Sequence, residues 1–207
     1  HHGVAGELRV GFTSSAPFIT RVSDALFTFR QRYPQVHLLV QEINTRQQLE
    51  PLSDGRLDLG VMRNTQLPDN LDHQLLLREP LCALVHRAHP LARQQSISLQ
   101  ALANEPFVFF DPQVGTALYS DILALLQRHN IQPWINQEVG EAMTILGLVA
   151  TGLGVSILPA SFQRVRLAEV VWLPLEEQDA LSEMWLVWAK QTEPSALLGN
   201  MMALLLK

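Results

Sequence analysis

The chain has one cysteine, Cys82, among 207 residues. No disulfide can form within it, and the apolar run Leu81 to Val85 around Cys82 marks an inert core thiol rather than a reactive one. Long apolar runs are missing too. None approaches the roughly 20 residues that a membrane-spanning helix needs, and the opening HHGVAGELRV lacks the apolar stretch of a secretory signal. The expected location is therefore the cytoplasm, with no membrane partner. Basic residues are few: 15 Lys and Arg face 20 Asp and Glu, for a formal net charge of -5. With no dense basic block, the chain is not expected to bind DNA by itself. A P-loop and a G-x-S-x-G nucleophile elbow are both absent, as are internal repeats and low-complexity segments. Gly152-Leu153-Gly154 imitates part of a dinucleotide fingerprint, but that fingerprint opens a helix after a strand and this one closes a helix. His1 and His2 read as the end of an expression tag and are left out of the chemistry.

What is present is a core. Hydrophobic residues make up 47% of the chain, enough for one large domain or two small ones. Glu7 to Phe12 reads as a first strand, followed by a small polar turn of Thr13, Ser14, Ser15 and Ala16. Pro17 suits a first helical position, and a helix to about Tyr33 carries Phe18, Val22, Ala25, Leu26 and Phe29 on one stripe, stopped by Pro34. Val36 to Ile43 is a second strand. Thr45 and Gln48 after it have the spacing of a capping box. Leu57 to Met62 is a third strand, so the first 60 or so residues alternate strand and helix as a parallel, helix-covered sheet does.

A second alternation follows. Leu71 to Leu77 and Leu81 to His86 read as two strands, Ser98 as the cap of a short helix over Leu99 to Ala103, and Phe107 to Phe110 as a strand. Gly115 or Thr116 opens a helix through His129, and Trp134 to Val139 is a strand. Met143, Ile145, Leu146, Leu148 and Val149 then recur at helical spacing, Gly152 and Gly154 are expected to end that helix by positive φ, and Val155 to Leu158 form a buried strand before Pro159. Strands at Val170 to Leu175 and Met184 to Ala189 precede a C-terminal helix from about Glu193.

Open parallel sheets bind ligands beyond the carboxyl ends of their strands. That rule nominates Thr13, Ser14 and Ser15 after strand one, Asn44 and Thr45 after strand two, Arg63 after strand three, and Gly115 and Thr116 in the second unit. Hydroxyls at two helix starts with an arginine nearby favour a small organic acid. The plainer reading is that Ser15 and Thr45 only cap their helices, at about 1 kcal/mol each, and that Arg63 is a solvated charge. His86 and His89 have H-x-x-H spacing with no carboxylate or cysteine nearby in sequence, so they read as a loop edge rather than a metal site. Asp54 and Asp58 read as solvated and capping carboxylates. No cofactor and no metal are expected.

Several separated stretches, GELRVGF, FRQRYPQVHLLVQE (Phe29 to Glu42), LSDGRLDLGVMR (Leu52 to Arg63), HPLA (His89 to Ala92) and EVGEAMTILGLVATGLGVSILPAS (Glu138 to Ser161), together resemble the effector-binding domain of LysR-type transcriptional regulators. The likeness runs from about Gly6 to Leu206 and is nearest to the members that sense aromatic acids and dienoates. It implies an α/β fold like a type 2 periplasmic binding protein: two α/β subdomains, 6–77 with 184–207 and 78–183, joined by two crossover strands near Leu77 to Glu79 and Ser182 to Trp185, with effector between them. It implies that Ser15 and Thr45 meet the effector carboxylate, and that Arg63 and Arg78 match arginines of a second aromatic-acid pocket in some members. It further implies no enzyme activity, an antiparallel homodimer pairing the helix after Pro17 with the helix near 142–151 of its partner, and a tetramer at full length. DNA is then reached only through an N-terminal winged helix-turn-helix domain that nothing in this chain matches. Effector would act by favouring a closed state through its differential affinity for it. The rival readings are a solute-binding protein of the same fold and a small-molecule enzyme built on it.

Overall fold

The computed structural model describes residues 6–190 and 195–207. They fall into two compact units. The first holds the residues up to Arg78 together with Glu183–Lys207, and the second is Glu79–Ser182.

Unit one is built on three parallel strands, β1 (Gly6–Phe12), β2 (Val36–Glu42) and β3 (Leu59–Arg63). β1 lies in the middle, with Gly11 opposite Gly60 of β3 and Val10 opposite Val40 of β2. The unit-one part of β9 (Leu181–Ala189) runs antiparallel to β3, Arg63 facing Met184. On one face of the sheet, helix α1 (Thr20–Arg32) and the last helix, α5 (Ala196–Leu205), bury Val22, Ala25, Phe29, Met201 and Leu205 against Leu8, Val10, Met184 and Leu186. On the other face the short α2 (Leu49–Ser53) sets Leu52 against Leu57, Met62, Leu71 and Val187. Both faces of β3 are thus covered, which explains its run of buried residues without alternation.

Unit two combines two small sheets. The second half of β4 (Leu71–His86) pairs antiparallel with β7 (Ser156–Pro159) and with β8 (Val170–Pro174). β5 (Pro106–Phe110) and β6 (Trp134–Val139) are parallel. Helices α3 (Ala117–Arg128) and α4 (Ala142–Ala150) bury Ile122, Leu125, Ile145 and Val149 in the core that Phe107, Phe109, Ile157 and Leu158 complete.

Local structure departs from the sequence reading at several places. The helix expected from Pro17 is divided: a 3-10 turn covers Ala16–Phe18, Ile19 is extended at φ -83° and ψ 118°, and α1 starts only at Thr20. The two strands read on either side of Arg78 are one strand, β4, in which the exposed Pro80 gives up a donor while the Leu81 N–H still reaches Ala180 O at 2.9 Å. Ser98 does not cap the turn at Leu99–Leu102; the Glu177 carboxylate accepts the Leu99 N–H instead, both oxygens at 3.0 Å. Gly152 has φ +81° as expected, but Gly154 does not. Its need is space, because a Cβ there would lie 2.5 Å from the Pro106 carbonyl oxygen. The start expected for the C-terminal helix, about Glu193, lies outside the described residues; helix α5 starts at Ala196, where the capping Ser195 Oγ accepts the Leu198 N–H at 3.2 Å.

Candidate functional site

The parallel order of β2, β1 and β3 puts three strand ends side by side, and each contributes one side chain. Ser15 follows β1, Thr45 follows β2, and Arg63 is the last residue of β3. The structure brings all three together. Arg63 Nη2–H donates to Ser15 Oγ at 2.6 Å, and the Arg63 backbone N–H donates to Thr45 Oγ1 at 3.2 Å. All three residues are buried, at 1–2% exposure. Arg63 is therefore not a solvated surface charge. A buried guanidinium is costly unless polar groups surround it, and Ser15 is one of those groups.

The hydroxyls are not helix caps either. Neither the turn at Ala16–Phe18 nor the one at Thr45–Gln48 receives a side-chain cap hydrogen bond. The capping box read from Thr45 and Gln48 does not form; Gln48 Nε2–H turns back to the Ile43 carbonyl at 2.8 Å. These turns are only three and four residues long, too short to carry the helix dipole that the sequence reading relied on. The positive character of the site comes from Arg63 instead.

Each hydroxyl spends an acceptor lone pair on Arg63 and keeps its own O–H to give. Two O–H donors, Ser15 held by the Arg63 guanidinium and Thr45 by the Arg63 backbone N–H, suit a carboxylate, whose oxygens accept short charge-assisted bonds of about 2.5–2.7 Å. Thr13, in the same turn as Ser15, adds a buried Oγ1 with no hydrogen-bond partner. Ser14 is partly buried beside them.

Other nominated residues are engaged elsewhere. Arg78 Nε–H donates to Glu183 Oε2 at 2.9 Å, in an ion pair whose arginine side chain is 58% exposed. Thr116 Oγ1 accepts the Tyr119 N–H at 3.2 Å and so caps α3 in unit two. The pair His86 and His89 proves to have a carboxylate close in space, since His89 Nε2 meets Glu105 Oε1, but no group of three or more His, Cys, Asp or Glu that could hold a metal exists among the described residues. Asp58 accepts the backbone N–H of Arg9 at 2.8 Å and also its guanidinium, a link from the β3 approach to β1. The sequence spacing of Gln48 points only to a capping role. Nothing in its local spacing signals the position it takes, buried against the paired glycines of β1 and β3.

Two α/β units joined by two strands, one of them presenting hydroxyls over a buried arginine at parallel strand ends, define a small-anion-binding module. The particular lineage follows from comparison. The family model described as the LysR substrate binding domain matches residues 1–207, and the chain belongs to that family. It is 60% identical, over 200 residues covering 97% of this chain and 67% of the relative, to the "Uncharacterized HTH-type transcriptional regulator YnfL" of Escherichia coli K12. To the HTH-type transcriptional regulator BenM of Acinetobacter baylyi it is 29% identical over 183 residues, 86% of this chain and 59% of BenM. The solved BenM effector-binding domain with its effector benzoate matches with a TM-score of 0.88 at 28% identity, covering 98% of this chain and 91% of that one. The chain thus spans roughly three fifths to two thirds of these regulators. Family membership sets the enzyme and solute-binding readings aside. No helix among the described residues is long and apolar enough to cross a membrane.

Proposed function

We propose that the chain is the effector-sensing and oligomerising part of a bacterial LysR-type transcriptional regulator acting in the cytoplasm, and that it takes a small organic acid by its carboxylate on Ser15 Oγ and Thr45 Oγ1 above Arg63. The single observation that carries this reading is the pairing of both hydroxyls with one buried arginine at the ends of adjacent parallel strands. The structural likeness to a domain that holds benzoate supports an aromatic or dienoic acid. Ser14 lends a further hydroxyl. Arg78, paired with Glu183, and Thr116, spent on capping α3, are left out of the contact set.

DNA contact belongs to a segment beyond this chain, in keeping with the net charge of -5, and dimers of this part become tetramers at full length. Support for the dimer is the exposure of Phe27 on α1 (67%) and Met143 on α4 (43%), large apolar side chains on the two helices nominated to pair. Charge at Phe27 (Phe27→Glu) is expected to lower the mass seen in sedimentation.

The test of the site is calorimetric titration of benzoate, cis,cis-muconate and glucose into the wild-type chain and into Ser15→Ala/Thr45→Ala. Acid binding that weakens by more than tenfold in the double variant, with glucose silent throughout, is the expected result. Unchanged acid affinity in a folded double variant removes the assignment.

A further inference from the structure

Gln48 is fully buried, and its side chain enters a slot that the backbone leaves open for it. Gly11 of β1 and Gly60 of β3 face each other in register, and neither carries a Cβ toward the turn at Thr45–Gln48. A Cβ on Gly60 would lie 2.6 Å from Gln48 Oε1 and 2.7 Å from Met62 Cε, and one on Gly11 would lie 3.0 Å from Gln48 Oε1 and 2.9 Å from Leu57 Cδ1. Gln48 Nε2–H is bound to the Ile43 carbonyl at 2.8 Å, closing the turn on itself, while Oε1 has no hydrogen-bond partner and rests against the two glycines. An unsatisfied buried carbonyl is costly, because it has given up its water without a replacement. An apolar side chain of similar shape would avoid that cost but would leave the Ile43 carbonyl without its Gln48 partner, so what the amide adds here is the closure of the turn.

We propose that Gln48, seated between Gly11 and Gly60, is the positioning residue of the anion site: it pins the turn that bears Thr45 onto β1 and β3 and so sets Thr45 Oγ1 at hydrogen-bond distance from the Arg63 amide. It touches no ligand. It acts through Thr45, three residues away on a turn with no cap of its own. Leu49 and Leu52 anchor α2 by packing in the core with Leu57, Met62 and Val187, and neither is among the contacts of Thr45 Oγ1. The effect on acid binding rests on the function proposed above, whereas the geometric part stands without it.

The test begins with a readout that needs no ligand. Amide hydrogen exchange at Arg63 reports the hydrogen bond to Thr45 Oγ1. In Gln48→Met, which keeps length and bulk but loses the bond to Ile43, exchange at Arg63 is expected to accelerate at least tenfold, with amides inside α1 unchanged. Gly60→Ala, which attacks the slot from the opposite side, is expected to do the same. Unchanged exchange at Arg63 in the folded Gln48→Met variant overturns the proposal.

The second readout is a double-mutant cycle on benzoate affinity with Thr45→Val. Gln48→Met is expected to weaken benzoate about tenfold in the wild-type background and less than twofold once Thr45 is valine. A loss of equal size in both backgrounds overturns positioning through Thr45, because a general loosening of the fold weakens binding whether or not Thr45 is present. Wild-type chain that ignores benzoate counts against the ligand class proposed above, and the exchange rate at Arg63 then decides the positioning role alone.

Discussion

Replacing Arg63 with methionine tests the electrostatic basis of the site. The side chain is close in volume and unable to donate, so the swap removes one positive charge with little change in packing. With Arg63 Nη2 2.6 Å from Ser15 Oγ, a carboxylate oxygen accepting the serine proton at about 2.7 Å sits about 5 Å from the guanidinium. At an effective dielectric of about 20, Coulomb's law puts that attraction at roughly 3 kcal/mol. The change should weaken a monocarboxylate by a few hundredfold, measured by titration calorimetry at fixed ionic strength. Arg63→Lys, which keeps the charge and loses the fork, should recover most of that loss if charge dominates. Circular dichroism and thermal unfolding of both variants verify that they fold. Acid affinity within threefold of wild type in a folded Arg63→Met chain would refute the reasoning, since the hydroxyls alone would then suffice.

Other expectations follow from contacts away from the site. The Trp185 indole N–H, at 2.9 Å, draws the Glu183 carboxyl below its usual range against the opposing effect of burial, with Arg78 and the nearby His73 adding to the depression. A depressed folded-state pKa gives stability that is present above the unfolded value and lost as pH falls through the folded one. The stability gap between wild type and Glu183→Gln in urea titrations should therefore be constant from pH 7 to about pH 5 and close at lower pH; a gap that persists at pH 2 would contradict it. Gly154→Ala drives a Cβ to 2.5 Å from the Pro106 carbonyl oxygen, a backbone atom that no side-chain rotation can move. It should cost at least about 2 kcal/mol, a fall in Tm of several degrees for a chain of this size, whereas Gly147→Ala, with open space at its Cβ, should be neutral or slightly stabilising. Burial pushes the Cys82 thiol up from its ordinary value, so native chain should resist a thiol-specific reagent that labels it at once in denaturant.

Elements whose evidence is local were legible before any coordinates. The stripe of Val22, Ala25 and Phe29 named a helix face, and Leu57 to Met62 was legible as a strand of a helix-covered sheet, because side-chain periodicity and strand-helix alternation are local properties of the chain. The strand-end rule nominated Ser15, Thr45 and Arg63 one at a time, as three residues separated by 30 and 18 positions.

Their mutual arrangement was another matter. Whether Thr45 caps a helix or receives an amide from Arg63 depends on the register of β1, β2 and β3, which no local pattern contains. The same holds for Gly154, read as a positive-φ residue when its requirement is the approach of Pro106, and for Ser98, whose expected capping role Glu177 takes from 79 positions later. Arg78 and Thr116 are of the residue types that bind an acid, yet Glu183 and the start of α3 engage them. By itself, then, the sequence determined the elements, the family likeness and the residue types at the strand ends, since these rest on backbone propensity and near-neighbour spacing. Only the tertiary structure decided which polar groups meet, because a buried guanidinium takes whatever acceptors packing brings within reach, and that is a property of contacts between segments far apart in the chain.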